Sequence, residues 1–212
     1  MTKVEFYFDP SCPFSWITSR WLCQVKSQRN IDAQWRPFSL ALKNNELRAE
    51  EGETPHAATH RQSHRVQRII AAVAVDNLVS ADDLYSEFGM RFHILEQAFD
   101  DEMIRSVLSG KNLPISLLSA ADDVQFDTFL QHEIESATAV VGNDVGVPII
   151  VFETKNNEKL GYFGPVLNEL PSTLDESLAL WDGLEKLATT SSFYELKRSR
   201  SGGPNVFSAA KC

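Results

Sequence analysis

The first stretch of the chain limits its fold more than any other. Val4, Phe6 and Phe8 alternate with Glu5 and Tyr7, the period of a strand, and Asp9-Pro10 ends the run. Phe14, Ile17, Trp21 and Val25 then recur at three- and four-residue spacing, which predicts a helix within 11–28. Ile31, Ala33 and Trp35 alternate again, and Pro37 limits how far a central strand can run. Strand, helix and strand before residue 40 make a βαβ unit.

The next stretch changes character. After the acidic run Glu50-Glu51-Gly52-Glu53, helical stripes cover 55–77, from Ser80 through Phe92, Asp100 to Leu108, and Asp122 to Val141. Nothing between 53 and 138 reads as a strand. Strand signals return at Val147–Phe152 and Leu160–Phe163, a hairpin across the polar tract Lys155-Asn156-Asn157-Glu158. Thr173-x-x-Glu176 is a capping-box pattern ahead of a last helix with Leu174, Leu178, Trp181, Leu184 and Leu187. The tail from Ser191 carries Lys197, Arg198 and Arg200, then Gly202-Gly203-Pro204, and is expected to fray.

Composition narrows the class. With 212 residues, 43% of them apolar, the chain can bury a core of its own without disulfides. Twenty basic against 29 acidic residues, net −9, argue against a nucleic-acid or anionic-membrane surface. No apolar run reaches the ~20 residues of a membrane helix, and MTKVEFYFDPSCPF lacks a secretory h-region. Three cysteines are too few for a disulfide framework, so the expected location is the cytoplasm.

Chemistry concentrates at Asp9-Pro10-Ser11-Cys12-Pro13-Phe14-Ser15-Trp16, where the first strand meets the first helix. A cysteine at a helix N-terminus faces unpaired backbone N–H groups and the positive end of the helix dipole, and both favour the thiolate. Pro13 suits the first helical position, where its missing N–H costs nothing. Most free cysteines are small buried hydrophobes, but this placement tips Cys12 toward a nucleophile that titrates moderately below ~8.5.

With these residues the chain resembles the DsbA branch of the thioredoxin superfamily. It is most similar to actinobacterial, mycothiol-dependent members, which include DsbA-like mycoredoxins and a nitroreductase. The resemblance is carried by Phe8-Asp9-Pro10 with Cys12-Pro13, Trp16–Trp21, Ser39-Leu40-Ala41, Phe163–Leu167 and Glu195–Arg198. It implies an α/β thioredoxin fold (βαβ…ββα) with an inserted all-helical domain. The expected parts are 1–52 and 139–212 for the thioredoxin fold and 53–138 for the insertion. It also implies Cys12 as the attacking thiol, Pro148 as a cis-proline facing it, and Asn44 lining the thiol pocket. Phe14 stands where the nitroreductase has tryptophan. Val147-Pro148 after Gly146 fits a cis peptide by its own residues, and the Cys12 motif favours that over a trans proline at a strand edge. In this fold the Val147 backbone would pair with a bound thiol or peptide.

Ser15 occupies the place where the family usually has a second, resolving cysteine. Serine cannot displace a disulfide sulfur. Cys23 lies 11 residues further along the same helix, about 16 Å at 1.5 Å per residue. A disulfide tolerates about 7 Å between Cα atoms, so Cys23 is read as packing. Two explanations stand for Ser15: a one-thiol enzyme, or a serine substituted to trap an intermediate.

His56, His60 and His64 share a helix face with Arg61, Arg65 and Arg68 close by. Positive charge opposes a cation, so this face reads as solvated and basic, with no metal, and His56 or His60 lines the pocket beside Cys12. His93 and His132 stand alone. Asp82-Asp83, Asp100-Asp101 and Asp122-Asp123 precede helices and read as caps. No G-x-G-x-x-G or Walker loop occurs, so no tightly bound cofactor is expected and electrons come from a small thiol, mycothiol by resemblance.

The reading is a cytoplasmic thiol-disulfide oxidoreductase acting by a monothiol mechanism. Cys12 and Ser15 form the catalytic pair, and Pro13, Phe14, Asn44, His56, Val147 and Pro148 contact substrate. The expected partners are a small thiol and oxidised proteins. Three alternatives stand beside it: a mycothiol-dependent nitroreductase, a kappa-class-like transferase or isomerase, in which the Cys12 position is typically serine, and a non-catalytic thiol-binding or chaperone-like module.

Overall fold

The computed structural model describes residues 1–75, 78–154, 156–199 and 202–210. Lys155 and Arg200, named above, lie outside the described residues, as does residue 77 at the end of the first helical stripe. The order is β1 (Thr2–Phe8), α1 (Pro13–Lys26), β2 (Ile31–Pro37), α2 (Leu40–Lys43), α3 (Ala57–Val75), α4 (Ala81–Gly89), α5 (Asp101–Gly110), α6 (Asp127–Val141), β3 (Ile149–Glu153), β4 (Lys159–Phe163) and α7 (Leu174–Ala188). Contacts divide the chain into two units, one of residues 1–7, 12–35 and 137–212, the other of 8–11 and 36–136. No helix among the described residues is long and apolar enough to cross a membrane.

The first unit is built on a sheet in the order β2-β1-β3-β4. β3 runs antiparallel to both neighbours, with Phe6 opposite Ile150 and Val151 opposite Gly161. Alternation in β1 predicts one buried face, but Phe6, Tyr7 and Phe8 are all buried, as suits an interior strand covered on both sides. α1 packs along α7 through Trp21 and Trp181, whose ring centres lie 5.9 Å apart, and Trp181 also meets Phe152 at 5.7 Å. The Trp21 indole N–H donates to the Ser177 carbonyl at 3.1 Å, so its polar edge is not stranded in the core. Gly161 is required by close approach: a Cβ there would stand 2.9 Å from side-chain methyls of Val140 and Val151 and 3.0 Å from Val141.

Capping follows the sequence closely at α7. The Thr173 hydroxyl accepts the Glu176 N–H, while the Glu176 carboxylate takes the N–H of Ser172. The tail departs from expectation. Residues 206–209 form a 3₁₀ turn against α1, Ala209 is buried, and Asn205 and Ser208 bond back to 168–170.

In the second unit the buried apolar residues include Val66, Ile69, Ile70 and Val73 of α3, with Leu84, Phe88, Ile104, Val107, Leu130 and Ile134. No strand lies between 53 and 138 among the described residues. Three details differ from the sequence pattern. The stripe through Phe92 passes from α4 into a π-helical turn, Met90–Ile94. The run from Asp122 does not start one helix: 3₁₀ turns at Ile115–Asp122 and Val124–Phe126 precede α6. α2 was not signalled by periodicity, being one turn held by the Ser39 hydroxyl on the Leu42 N–H.

Candidate active site

The residues that precede Cys12 in sequence, Phe8–Ser11, belong to the second unit. β1 ends at Phe8, and Asp9 is fully buried. One Asp9 oxygen accepts the Ser11 N–H at 2.9 Å, the Ser11 hydroxyl at 2.7 Å and the Ser63 hydroxyl at 2.5 Å; the other accepts the Leu40 N–H at 2.8 Å. A buried carboxylate needs such donors; the two from Ser11 shape the turn, and those from Leu40 and Ser63 tie it to α2 and α3. The next carbonyl, Pro10, lies 2.8 Å from Nε2 of His93. A carbonyl only accepts, so His93 carries its proton on Nε2. Burial pushes the His93 pKa down to about 4 against the raising effect of that bond, so the ring is neutral at pH 7.

Cys12 itself belongs to the first unit, as the N-cap of α1 with extended backbone and 8% exposure. Its Sγ accepts the Ser15 N–H at 3.5 Å and lies 3.4 Å from the Val147 carbonyl oxygen, to which the thiol donates. The two contacts oppose each other. The N–H stabilises the thiolate; the carbonyl stabilises only the protonated thiol and repels the anion. Pro13 opens the helix and is half-buried with Phe14, so the two residues that follow Cys12 are apolar and partly exposed.

Ser15 is fully buried one turn along, and its hydroxyl has no hydrogen-bond partner among the described residues. An orphaned hydroxyl costs about 1–3 kcal/mol. Its position is apolar in all but name, which would suit a thiol. Neither Cys12 nor Cys23 forms a disulfide among the described residues, and Cys23 is half-buried in α1.

Val147-Pro148 is cis, and both residues are buried beside the start of β3. A second cis bond, Gly164-Pro165, was not foreseen. The first unit thus gathers Cys12, Pro13, Phe14, Ser15, Val147 and Pro148. Asn44 and His56 belong to the second unit, where both are exposed: Asn44 caps the end of α2 and bonds to Glu46 at 3.4 Å, and His56 lies beside the His60 ring.

The expected solvated histidine face is not what forms. His64 is buried, with Nδ1 at 2.8 Å from the Ser39 hydroxyl and Nε2 at 3.0 Å from Asp127. Burial, joined by the Arg68 charge, pushes its pKa down although Asp127 opposes this. Asp127 is held below its ordinary value: burial raises it, but the Arg68 hydrogen bonds, both 2.7 Å, and His64 outweigh that. The arginines are paired as well, Arg61 with Glu53 and Arg65 with Asp122 and Asp101. Asp122 is therefore an ion-pair partner and not a cap, whereas Asp100 and Asp123 do cap. His60 bonds Glu46 at 2.6 Å. Among the described residues no group of three or more His, Cys, Asp or Glu is arranged to hold a metal.

Comparison with known proteins sets this geometry in a family. The model of the Rv2466c-like family, described as mycothiol-dependent nitroreductase Rv2466c, matches residues 11–198. The uncharacterized protein Rv2286c of Mycobacterium tuberculosis is 30% identical over 210 residues, 95% of this chain and 84% of that one. Among solved structures, the chain is similar to the cytosolic disulfide reductase DsbM from Pseudomonas aeruginosa, with TM-score 0.57 and 14% identity over 87% of this chain and 99% of that one. It is also similar to the probable DsbA oxidoreductase SCO1869 from Streptomyces coelicolor, with TM-score 0.58 and 15% identity over 97% of each chain. At these identities the solved structures speak to fold alone, and that fold is the DsbA-like thioredoxin fold, mixed α/β with a four-stranded sheet.

Proposed function

We propose a function from one premise: this chain belongs to the Rv2466c-like family of mycothiol-dependent nitroreductases. The reading is a thiol-disulfide oxidoreductase that works with one thiol and removes mycothiol from mixed disulfides of proteins. The Cys12 thiolate attacks the mycothiol sulfur; a Cys12–mycothiol disulfide forms while the protein sulfur leaves as a thiolate and takes up a proton. A second mycothiol, as its thiolate, attacks the mycothiol sulfur of the adduct, releasing mycothiol disulfide and the Cys12 thiolate. Bonds and electrons balance, because one disulfide has moved from the protein to a pair of small thiols.

The observation that carries this reading is the pairing of Cys12 at the helix N-terminus with a buried hydroxyl, not a thiol, at Ser15. Ser15 cannot resolve the adduct, so an outside thiol must. Pro13, Phe14, Val147 and Pro148 are assigned to recognition of the small thiol and the substrate. The setting is the cytoplasm, where small thiols are kept reduced. The test is reduction of a mycothiolated reporter protein in the presence of mycothiol. Wild type and Cys23→Ser should turn it over and Cys12→Ser should not; equal activity of Cys12→Ser overturns the reading.

A second reading, mycothiol-dependent reduction of nitro compounds, is favoured by the description of the family model. Loss of nitroaromatic absorbance in the presence of mycothiol tests it. Phe14→Trp should raise that rate if the apolar residues that follow Cys12 hold the aromatic substrate.

A further inference from the structure

The carbonyl beside the reactive sulfur is held from the same helix that carries the sulfur. Thr18 is fully buried on α1, six residues after Cys12. A helical threonine commonly turns its hydroxyl back to a carbonyl of its own helix. Thr18 instead donates across 147 positions of sequence to the Pro165 carbonyl at 2.7 Å. The preceding N–H, of Gly164, donates to the Pro148 carbonyl at 2.8 Å. The carbonyl before that, of Val147, lies 3.4 Å from Cys12 Sγ. These contacts close a ring inside the first unit: Cys12, α1, Thr18, Pro165, Gly164, Pro148, Val147 and back to Cys12. Gly164 is required in it, since its φ of +115° is a conformation that L side chains rarely adopt and an added Cβ would meet the Val166 N–H group at 3.1 Å.

We infer that Thr18 is a positioning residue of the active site, which through Pro165 and Gly164 keeps the Val147 carbonyl against the Cys12 sulfur. Held there, the carbonyl favours the thiol over the thiolate, so Thr18 restrains the nucleophile until a substrate takes the place of that contact. As a matter of catalysis the inference rests on the disulfide-exchange reading. As a matter of the Cys12 sulfur it is tested without mycothiol or any disulfide, so the two can fail separately.

The test compares full-length wild type, Thr18→Val and Thr18→Ser at one neutral pH. The readouts are thiolate ultraviolet absorbance, taken as the difference from Cys12→Ser, and the alkylation rate of the Cys12 peptide by mass spectrometry. Valine keeps the shape and removes the donor. It should raise thiolate fraction and alkylation together by about threefold, the change that half a unit of thiol pKa brings. Serine, which keeps the hydroxyl, should restore both. Gly164→Ala, which displaces the strut from the other side, should move both readouts as valine does. Unchanged thiolate signal in Thr18→Val and Gly164→Ala, with only thermal stability lowered, overturns the inference, as does failure of serine to restore the signal.

Discussion

His93 donates its Nε2–H to the Pro10 carbonyl across 2.8 Å, so a π-helical turn deep in the helical block grips the loop two residues ahead of Cys12. Protonation would keep that donor but would place a charge on a buried ring. That gives the loop an acid limit.

The limit is measurable. His93 has its pKa depressed from 6.5 to about 4 by burial, so below 6.5 the unfolded chain takes up a proton that the folded chain refuses. Its stabilisation is complete above that value and is lost as pH falls toward about 4, by on the order of 2–3 kcal/mol. His64, also shifted down, loses stability in the same direction. Chemical denaturation at neutral pH and near pH 4.5 should show the drop. His93→Gln, whose amide can still reach Pro10, should flatten part of it; an identical pH slope in that variant would show that His93 is not the titrating group.

Ser15 gives a second expectation. Its buried hydroxyl has no partner among the described residues, so Ser15→Ala should hold stability or gain up to about 1 kcal/mol, because the desolvation cost is removed with the atom. Ser15→Cys should form a disulfide with Cys12 under mild oxidant, since the two positions are one helical turn apart at the start of α1. A clear destabilisation by alanine would reveal a partner for the hydroxyl, and a Ser15→Cys protein that stays reduced would place the side chains apart.

At Gly161 the prediction is steric. A methyl group there enters the space of Val140, Val141 and Val151, at 2.9–3.0 Å, where α6 ends against the hairpin. Gly161→Ala should cost about 1–3 kcal/mol by thermal or denaturant melting. A neutral result would mean that the valines yield freely.

What the sequence made legible was local. Pro13 at the first helical position, the strand β1, the β3–β4 hairpin and the Thr173 cap depend on residues within a few positions of one another, and all appear where they were expected. The Val147-Pro148 cis bond was legible because the Cys12 motif selected it. The missed features join distant residues. His93 looks isolated in sequence because its partner lies 83 positions away, and Thr18 carries no local signal because its acceptor lies 147 positions away. His64 was read as part of a solvated face because helical spacing fixes direction but not what packs there; Ser39 and Asp127 close over it. Asp122 resembled a cap for the same reason, its arginine partner being 57 positions off.

Under the proposed mechanism Cys12 forms a disulfide with mycothiol that the chain does not resolve alone. Intact-protein mass spectrometry with peptide mapping tests it directly: treat the protein with mycothiol disulfide, remove the excess, and follow the mass over time before and after adding free mycothiol. The account predicts one adduct, on Cys12, that persists without added thiol, is discharged promptly by free mycothiol and is absent from Cys12→Ser. An adduct that forms elsewhere, or that leaves Cys12 unaided, would contradict it.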